Sequence, residues 1–200
     1  MRKAIQHLKL ADPVLGGIIE QVGTYGITFL EPDFETLVKS IVSQQLSGKV
    51  AKTIYGRLIA AGGGRLTPES LLKLRPARMR ALGLSRQKID YIRDLARQAR
   101  DGTVDFARLA EFSDLEVIDH LTAVKGIGVW TVHMFLIFAL RREDVLPTGD
   151  LGIRVAIRKA YGLEDLPKPA DMEALAEKWH PYCSVASWYL WRSLEANAGL

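Results

Sequence analysis

The chain has 200 residues, 48% of them apolar and 25% charged, enough for one sizeable domain or two small ones and too apolar for a disordered chain. A single cysteine, Cys183, excludes a disulfide framework, a structural zinc site built on thiolates and a four-cysteine iron–sulfur cluster. Twenty-seven Lys and Arg against 23 Asp and Glu leave a net charge of +4, which permits a polyanionic partner without requiring one. The longest apolar stretch, Val129 to Leu140, spans about a dozen residues, too short to cross a bilayer. The N-terminal MRKAIQHLKLADP has no apolar core of signal-peptide length. A reduced, untargeted, cytoplasmic protein with no membrane partner is expected, nucleoid-associated if its source is a bacterium.

Nearly every periodic segment reads as helix. Asp12-Pro13 starts one, with a capping carboxylate before proline at the first helical position. Thr24 to Leu30 (TYGITFL) is strand-like but too short and isolated to found a sheet. From Glu31-Pro32 a helix sets Phe34, Leu37, Val38, Ile41 and Val42 on one face. After Ser43-Gln44-Gln45-Leu46-Ser47-Gly48 a second helix carries Val50, Ile54, Leu58 and Ile59 and ends at Gly62-Gly63-Gly64. Thr67-Pro68 and Arg75-Pro76 open two short helices. Ser85 caps an amphipathic one with Ile89, Ile92, Leu95 and Ala99 inward and Arg86, Lys88, Arg93, Arg97 and Arg100 on a face read as solvated. Ser113 and Glu116 make a capping box. A glycine hairpin, the Val129–Leu140 helix and the Pro147-Thr148-Gly149 turn lead to a helix from about Asp150. A further helix starts at Lys168-Pro169 and is broken by Pro181, and Ser184 caps the last. The chain is all-α, with about ten short helices and no internal repeat.

The most informative segment is Leu121 to Ile157, LTAVKGIGVWTVHMFLIFALRREDVLPTGDLGIRVAI. Lys125-Gly126-Ile127-Gly128 lies between two helical patterns, and two glycines two apart allow a tight turn and close approach of another backbone. The next helix offers unpaired N–H groups and a positive dipole end, suited to phosphate, with the Lys125 cation beside it. By itself the pattern also suits an ordinary αα-hairpin.

With its wider context this segment resembles the helix–hairpin–helix plus Gly/Pro…Asp loop of a superfamily of DNA glycosylases: KGIG, then Trp130-Thr131, a loop bearing Pro147, and Asp150. Phe34 to Lys52 (FETLVKSIVSQQLSGKVAK) is similar to a helix pair of the AlkA-like 3-methyladenine DNA glycosylase II branch. Trp179-His180-Pro181-Tyr182 through Tyr189-Leu190-Trp191-Arg192 resembles that branch's C-terminal helix. The family hairpin usually begins with proline where Lys125 stands. The resemblance implies an all-α fold of two helical lobes, residues 32–145 forming a central bundle and residues 1–31 with 146–200 the second, with the hairpin motif and Asp150 at the cleft between them.

The function it implies is a monofunctional glycosylase that flips alkylated purines such as 3-methyladenine out of duplex DNA and hydrolyses the N-glycosidic bond. Asp150 is the implied catalytic carboxylate, stabilising an oxocarbenium-like sugar, a role compatible with capping the helix that follows. Bifunctional relatives carry a lysine two residues after the second hairpin glycine; Trp130 stands there, so no imine route to strand cleavage is expected. Trp191 matches the family's tryptophan beside the aspartate, where an aromatic face attracts a cationic base. Trp130 and Tyr189 are further pocket candidates; core packing would explain Trp130 as well and Tyr189 better. Lys125, Gly126, Ile127 and Gly128 are expected to hold DNA, and Gln44, Gln45 and Leu46 match the wedge that fills the flipped nucleotide's place, with Gln45 and Leu46 both open as the inserted residue. By position, the main-chain carbonyls of Thr122, Val124 and Ile127 would hold a structural Na⁺ or K⁺. No catalytic cofactor is implied, no side-chain metal site is suggested by the histidine spacing, and a monomer is expected. A glycosylase for another damaged or mismatched base, or a non-catalytic hairpin protein that only holds DNA, remains as an alternative.

Overall fold

The computed structural model describes residues 1–196, and of Ala196 only the backbone. Among these residues the structure is all-helical. Two units partition the chain: residues 30–135 form one, and residues 1–29 with 136–200 the other. The second division falls at 135/136 rather than at 145, inside the apolar helix α9 (Val129–Phe138). That helix is apolar on every face, so its sequence marks no edge between cores.

The discontinuous unit begins with α1 (Arg2–Ala11) and α2 (Pro13–Val22). Helix α1 is absent from the sequence reading, although Ala4 and Leu8 lie four apart and are buried. After α2 the chain runs extended through 24–30. Tyr25 and Ile27 are half-buried and their neighbours exposed, so the alternation is that of a lone extended segment with no partner strand. From the C-terminal part come α10 (Leu151–Tyr161), α11 (Pro169–Ala176), a 3₁₀ turn (Glu177–Trp179) and α12 (Cys183–Ala196). Helix α12 packs on α2 and α10 around Leu15, Ile19, Ile153, Ile157, Trp179 and Leu190.

Asp12 ties this unit together. Its Oδ1 accepts from Val14 N (3.1 Å) and Leu15 N (3.2 Å), capping α2, while Oδ2 accepts from Trp179 Nε1 (2.8 Å), from the Tyr161 hydroxyl and from Lys178 Nζ (3.2 Å). Complete burial works to raise its pKa, but these donors outweigh that and hold it below the ordinary 3.8. A carboxylate depressed on folding contributes stability that is complete above 3.8 and drains as pH falls through the lowered value. Asp12→Asn should therefore lower stability at neutral pH and flatten the acid limb, as read from urea midpoints between about pH 5 and 2. An unchanged acid limb would remove Asp12 from this role.

Ser184 does not cap α12. Its Oγ accepts from Val145 N (3.0 Å), and the capping acceptor is Asp144, whose Oδ1 takes Cys183 N (3.2 Å).

The continuous unit holds α3 (Phe34–Ser43), α4 (Gly48–Ala61), α5 (Pro68–Lys73), α6 (Pro76–Ala81), α7 (Arg86–Arg100), α8 (Asp114–Thr122) and most of α9. Asp33 caps α3, and the whole apolar stripe of Phe34, Leu37, Val38, Ile41 and Val42 is buried. In α4 the buried face is Ala51, Ile54 and Leu58, whereas Val50 is exposed. The capping boxes of α5 (Thr67 with Ser70) and α8 (Ser113 with Glu116) both form. Helix α7 packs on α3, α5 and α6, burying Ile89, Ile92, Leu95 and Ala96, with Ala99 only partly covered. Two of its cations are half-buried and bonded within the protein: Arg93 donates to Leu74 O (3.0 Å), and Lys88 Nζ to Val42 O and Gln44 O (both 2.7 Å).

Candidate functional site

In the discontinuous unit, the turn after Pro147 closes through Asp150 N donating to Pro147 O (2.9 Å) and delivers Asp150 to the first position before α10. Asp150 is 8% exposed. Its Oδ1 accepts from Ile153 N (2.8 Å), a cap, and from the Trp191 indole Nε1 (2.9 Å) on α12. The carboxylate thus sits at the positive end of α10 with one oxygen fixed by two N–H donors, and the geometry orients it rigidly. Phe138 stacks on the other side chain of the pair, Trp191, at 5.7 Å between centroids and 28° between planes. Gly152 is a residue the sequence reading missed. A Cβ there would lie 3.0 Å from Asp150 Oδ1 and 3.2 Å from Trp191 Cδ1, so only glycine leaves the pair undisturbed.

A cavity of about 580 Å³ opens beside Trp191, lined also by Thr24, Gly26, Phe138, Trp188 and Arg192. Tyr189 does not belong to it. That side chain is fully buried, with its hydroxyl donating to Gly23 O (3.1 Å), so it is a core residue. Residues 183–190 of α12 are all buried, and one residue's shift along the helix turns a side chain from cavity to core.

In the continuous unit, the hairpin runs from the end of α8 to the start of α9, with Ile127 N donating to Val124 O (3.1 Å) and Gly126 at φ +80°. Lys125 and Gly128 are exposed, while the Ile127 side chain is buried, so Ile127 offers a ligand only its backbone. Lys125 N donates to Asp94 Oδ2 (3.0 Å). The carbonyls of Thr122, Val124 and Ile127 are hard oxygen donors of the kind a monovalent cation takes; that of Val124 already accepts one hydrogen bond and keeps a second lone pair. Gly126 O accepts from Gln44 Nε2 (2.9 Å), which joins the hairpin to the Ser43–Leu46 turn. Gln45 and Leu46 are exposed on that turn. Trp130, 46% exposed, lines with Gln44, Gln45, Gly126 and Gly128 a pocket of about 430 Å³. The fold therefore groups Trp130 with the turn and hairpin, and Trp191 with Asp150.

The histidines are not in these sites. Burial lowers the His133 pKa, so it is neutral at physiological pH. His180 Nδ1 lies 2.8 Å from Asp144, whose carboxylate also caps Cys183, a convergence that spacing alone did not show. Burial and the neighbouring Asp144 push the Cys183 thiol up, so it stays protonated.

An all-helical chain with a glycine hairpin feeding an apolar helix, followed by an indole-held aspartate after a Pro-bearing turn, defines a helix–hairpin–helix protein with a candidate active-site carboxylate. Residues 38–181 match the family described as HhH-GPD superfamily base excision DNA repair protein, and the chain belongs to that superfamily. The DNA-3-methyladenine glycosylase 1 of Schizosaccharomyces pombe is 36% identical, over 96% of this chain and 87% of its own. Two solved structures are similar. The Schizosaccharomyces pombe 3-methyladenine DNA glycosylase in complex with abasic DNA superposes with a TM-score of 0.83 at 35% identity, over 94% of this chain and 95% of that one. The Bacillus halodurans DNA-3-methyladenine glycosidase gives 0.86 at 37% identity, over 98% and 96%.

Proposed function

We propose that the protein is a monofunctional DNA glycosylase that removes alkylated purines such as 3-methyladenine from duplex DNA by hydrolysis. The observation that carries this reading is Asp150, held at the start of α10 by Ile153 N and Trp191 Nε1 in a base excision repair fold.

The electrostatics follow from that placement. As the C1′–N bond lengthens, positive charge gathers on the sugar, and a preoriented carboxylate stabilises it without reorganising. The same group orients the water that completes hydrolysis and accepts its proton. A purine alkylated at N3, such as 3-methyladenine, is a cation before it leaves, and the aromatic wall of Trp191, Phe138 and Trp188 attracts it by about 0.5–2 kcal/mol. Gln45 or Leu46 occupies the stack in place of the extruded nucleotide, and the hairpin N–H groups with Lys125 hold a phosphate. A Na⁺ or K⁺ on the Thr122, Val124 and Ile127 carbonyls would add a charge facing the same phosphate.

Duplexes each bearing one defined lesion, scored for released base, test this reading; release of no alkylated purine would sink it. The strand should remain intact at the abasic site until alkali is added, and borohydride should trap no protein–DNA adduct, since Trp130 offers no amine. Binding through phosphates predicts affinity that falls steeply with salt. Lys125→Glu should weaken damaged and undamaged duplex equally, as read by fluorescence anisotropy; selective loss on damaged duplex would place Lys125 in lesion recognition instead.

A further inference from the structure

The Ser43–Leu46 turn has a conformation that its sequence does not favour. Leu46 N donates to Ser43 O (3.2 Å), Gln44 has φ −49° and ψ 128°, and Gln45 has φ +56°. These are the dihedrals of a type II turn, whose third position ordinarily takes glycine or asparagine. A glutamine held there is strained, and the surrounding contacts must hold it. Type I and type II turns differ by a flip of the central peptide, here the one linking Gln44 to Gln45, so the direction of the Gln44 carbonyl decides the sign of φ at Gln45.

That carbonyl is held. Lys88 Nζ lies 2.7 Å from Gln44 O and 2.7 Å from Val42 O, and its half-buried stem rises from α7. One ammonium thus ties down an end carbonyl of α3 and the peptide whose flip would release the turn. The same face of α7 sets the hairpin. Three residues on from Lys88, the Tyr91 ring lies against Gly126, and three further on Asp94 takes Lys125 N. Gln44 Nε2 closes the frame on Gly126 O.

We propose that Lys88 is a positioning residue for base extrusion: it locks the Gln44–Gln45 peptide in the orientation that presents Gln45 and Leu46 for insertion, in register with the hairpin. The proposal rests on the reading of Gln45–Leu46 as the inserted wedge. Lys88 touches no substrate; it acts through the turn.

The test compares Lys88→Met, the wedge-less pair Gln45→Ala with Leu46→Ala, and all three changes together. The substrates are duplexes with the lesion opposite a normal base or opposite an abasic site, where extrusion costs less. Lys88→Met should lower kcat on the fully paired duplex about tenfold, the ratio that losing a charged hydrogen bond supports. Its deficit should shrink opposite the abasic site, with duplex Kd within about twofold of wild type and a single unfolding transition. Added to the wedge-less variant, Lys88→Met should cost nothing more, because both remove one device. Equal deficits on the two substrates, full additivity, or wild-type kcat would overturn the role of Lys88. If the wedge-less variant itself matches wild type, the insertion reading fails and this inference with it. If Lys88→Met does not fold, Lys88→Gln, which keeps an N–H donor on a shorter stem, carries the same comparison.

Discussion

Asp150→Asn is expected to slow base excision by about 10²–10³, equivalent to about 3–4 kcal/mol of lost transition-state stabilisation. Asparagine keeps an oxygen where Oδ1 now accepts from Ile153 N and Trp191 Nε1, and it is a good helix cap, so α10 and the Trp191 contact should survive. What disappears is the negative charge facing the sugar cation. Thermal unfolding and duplex affinity should therefore be nearly unchanged, while single-turnover excision collapses. The loss should be smaller for cationic 3-methyladenine than for a neutral adduct, because the cation is already an activated leaving group. Near-normal excision by the variant would remove Asp150 from the mechanism. Gly152→Ala offers a milder companion, crowding Asp150 Oδ1 and Trp191 without removing charge.

The two hairpin glycines should behave differently. Gly126→Ala places a methyl group 2.0–2.3 Å from Tyr91 ring atoms at a residue with φ +80°. Left-handed backbone and overpacking together should lower stability by about 2–4 kcal/mol. Adding Tyr91→Ala relieves the overlap but not the backbone strain, so part of the loss should return. At Gly128 a Cβ would meet nothing within 4 Å and φ is not positive. Gly128→Ala should leave the denaturant midpoint where it is and weaken duplex binding, since the protein itself has room for the methyl and only a closely approaching phosphate does not. Equal destabilisation by both substitutions would refute this division.

Much of the fold was legible because its signals are local. Asp12-Pro13, Thr67-Pro68 and the Ser113/Glu116 box cap helices through neighbours three residues away, and the α3 stripe needs only a period. Asp150 was legible as a cap for the same reason, and as a catalytic candidate through the family motif. The misreadings involve partners distant in sequence. Ser184 looked like a cap because the true acceptor, Asp144, lies outside the local window. Lys88 looked solvated because its two carbonyl partners lie on another helix and turn. Tyr189 and Trp191 could not be sorted between core and cavity on a helix whose serines, Ser184, Ser187 and Ser193, are themselves buried, and the all-apolar α9 hid the division at 135/136. Gly152 carries no pattern at all; only the positions of Asp150 Oδ1 and the Trp191 ring explain it.

The split of one unit into residues 1–29 and 136–200 bears on how the chain matures. Residues 30–135 are continuous and can close their core while the ribosome is still adding the remainder. The first two helices cannot, because Asp12 finds its Tyr161 and Trp179 partners only when those residues emerge. Until then the apolar faces of α1 and α2, with Leu8, Leu15 and Ile19, have no core to enter and are exposed to chaperones and proteases. Synthesis that stalls before Trp179 should thus leave a folded central unit with a protease-sensitive N-terminal arm, and the carboxylate site, built from α10 and α12, forms only after that central unit.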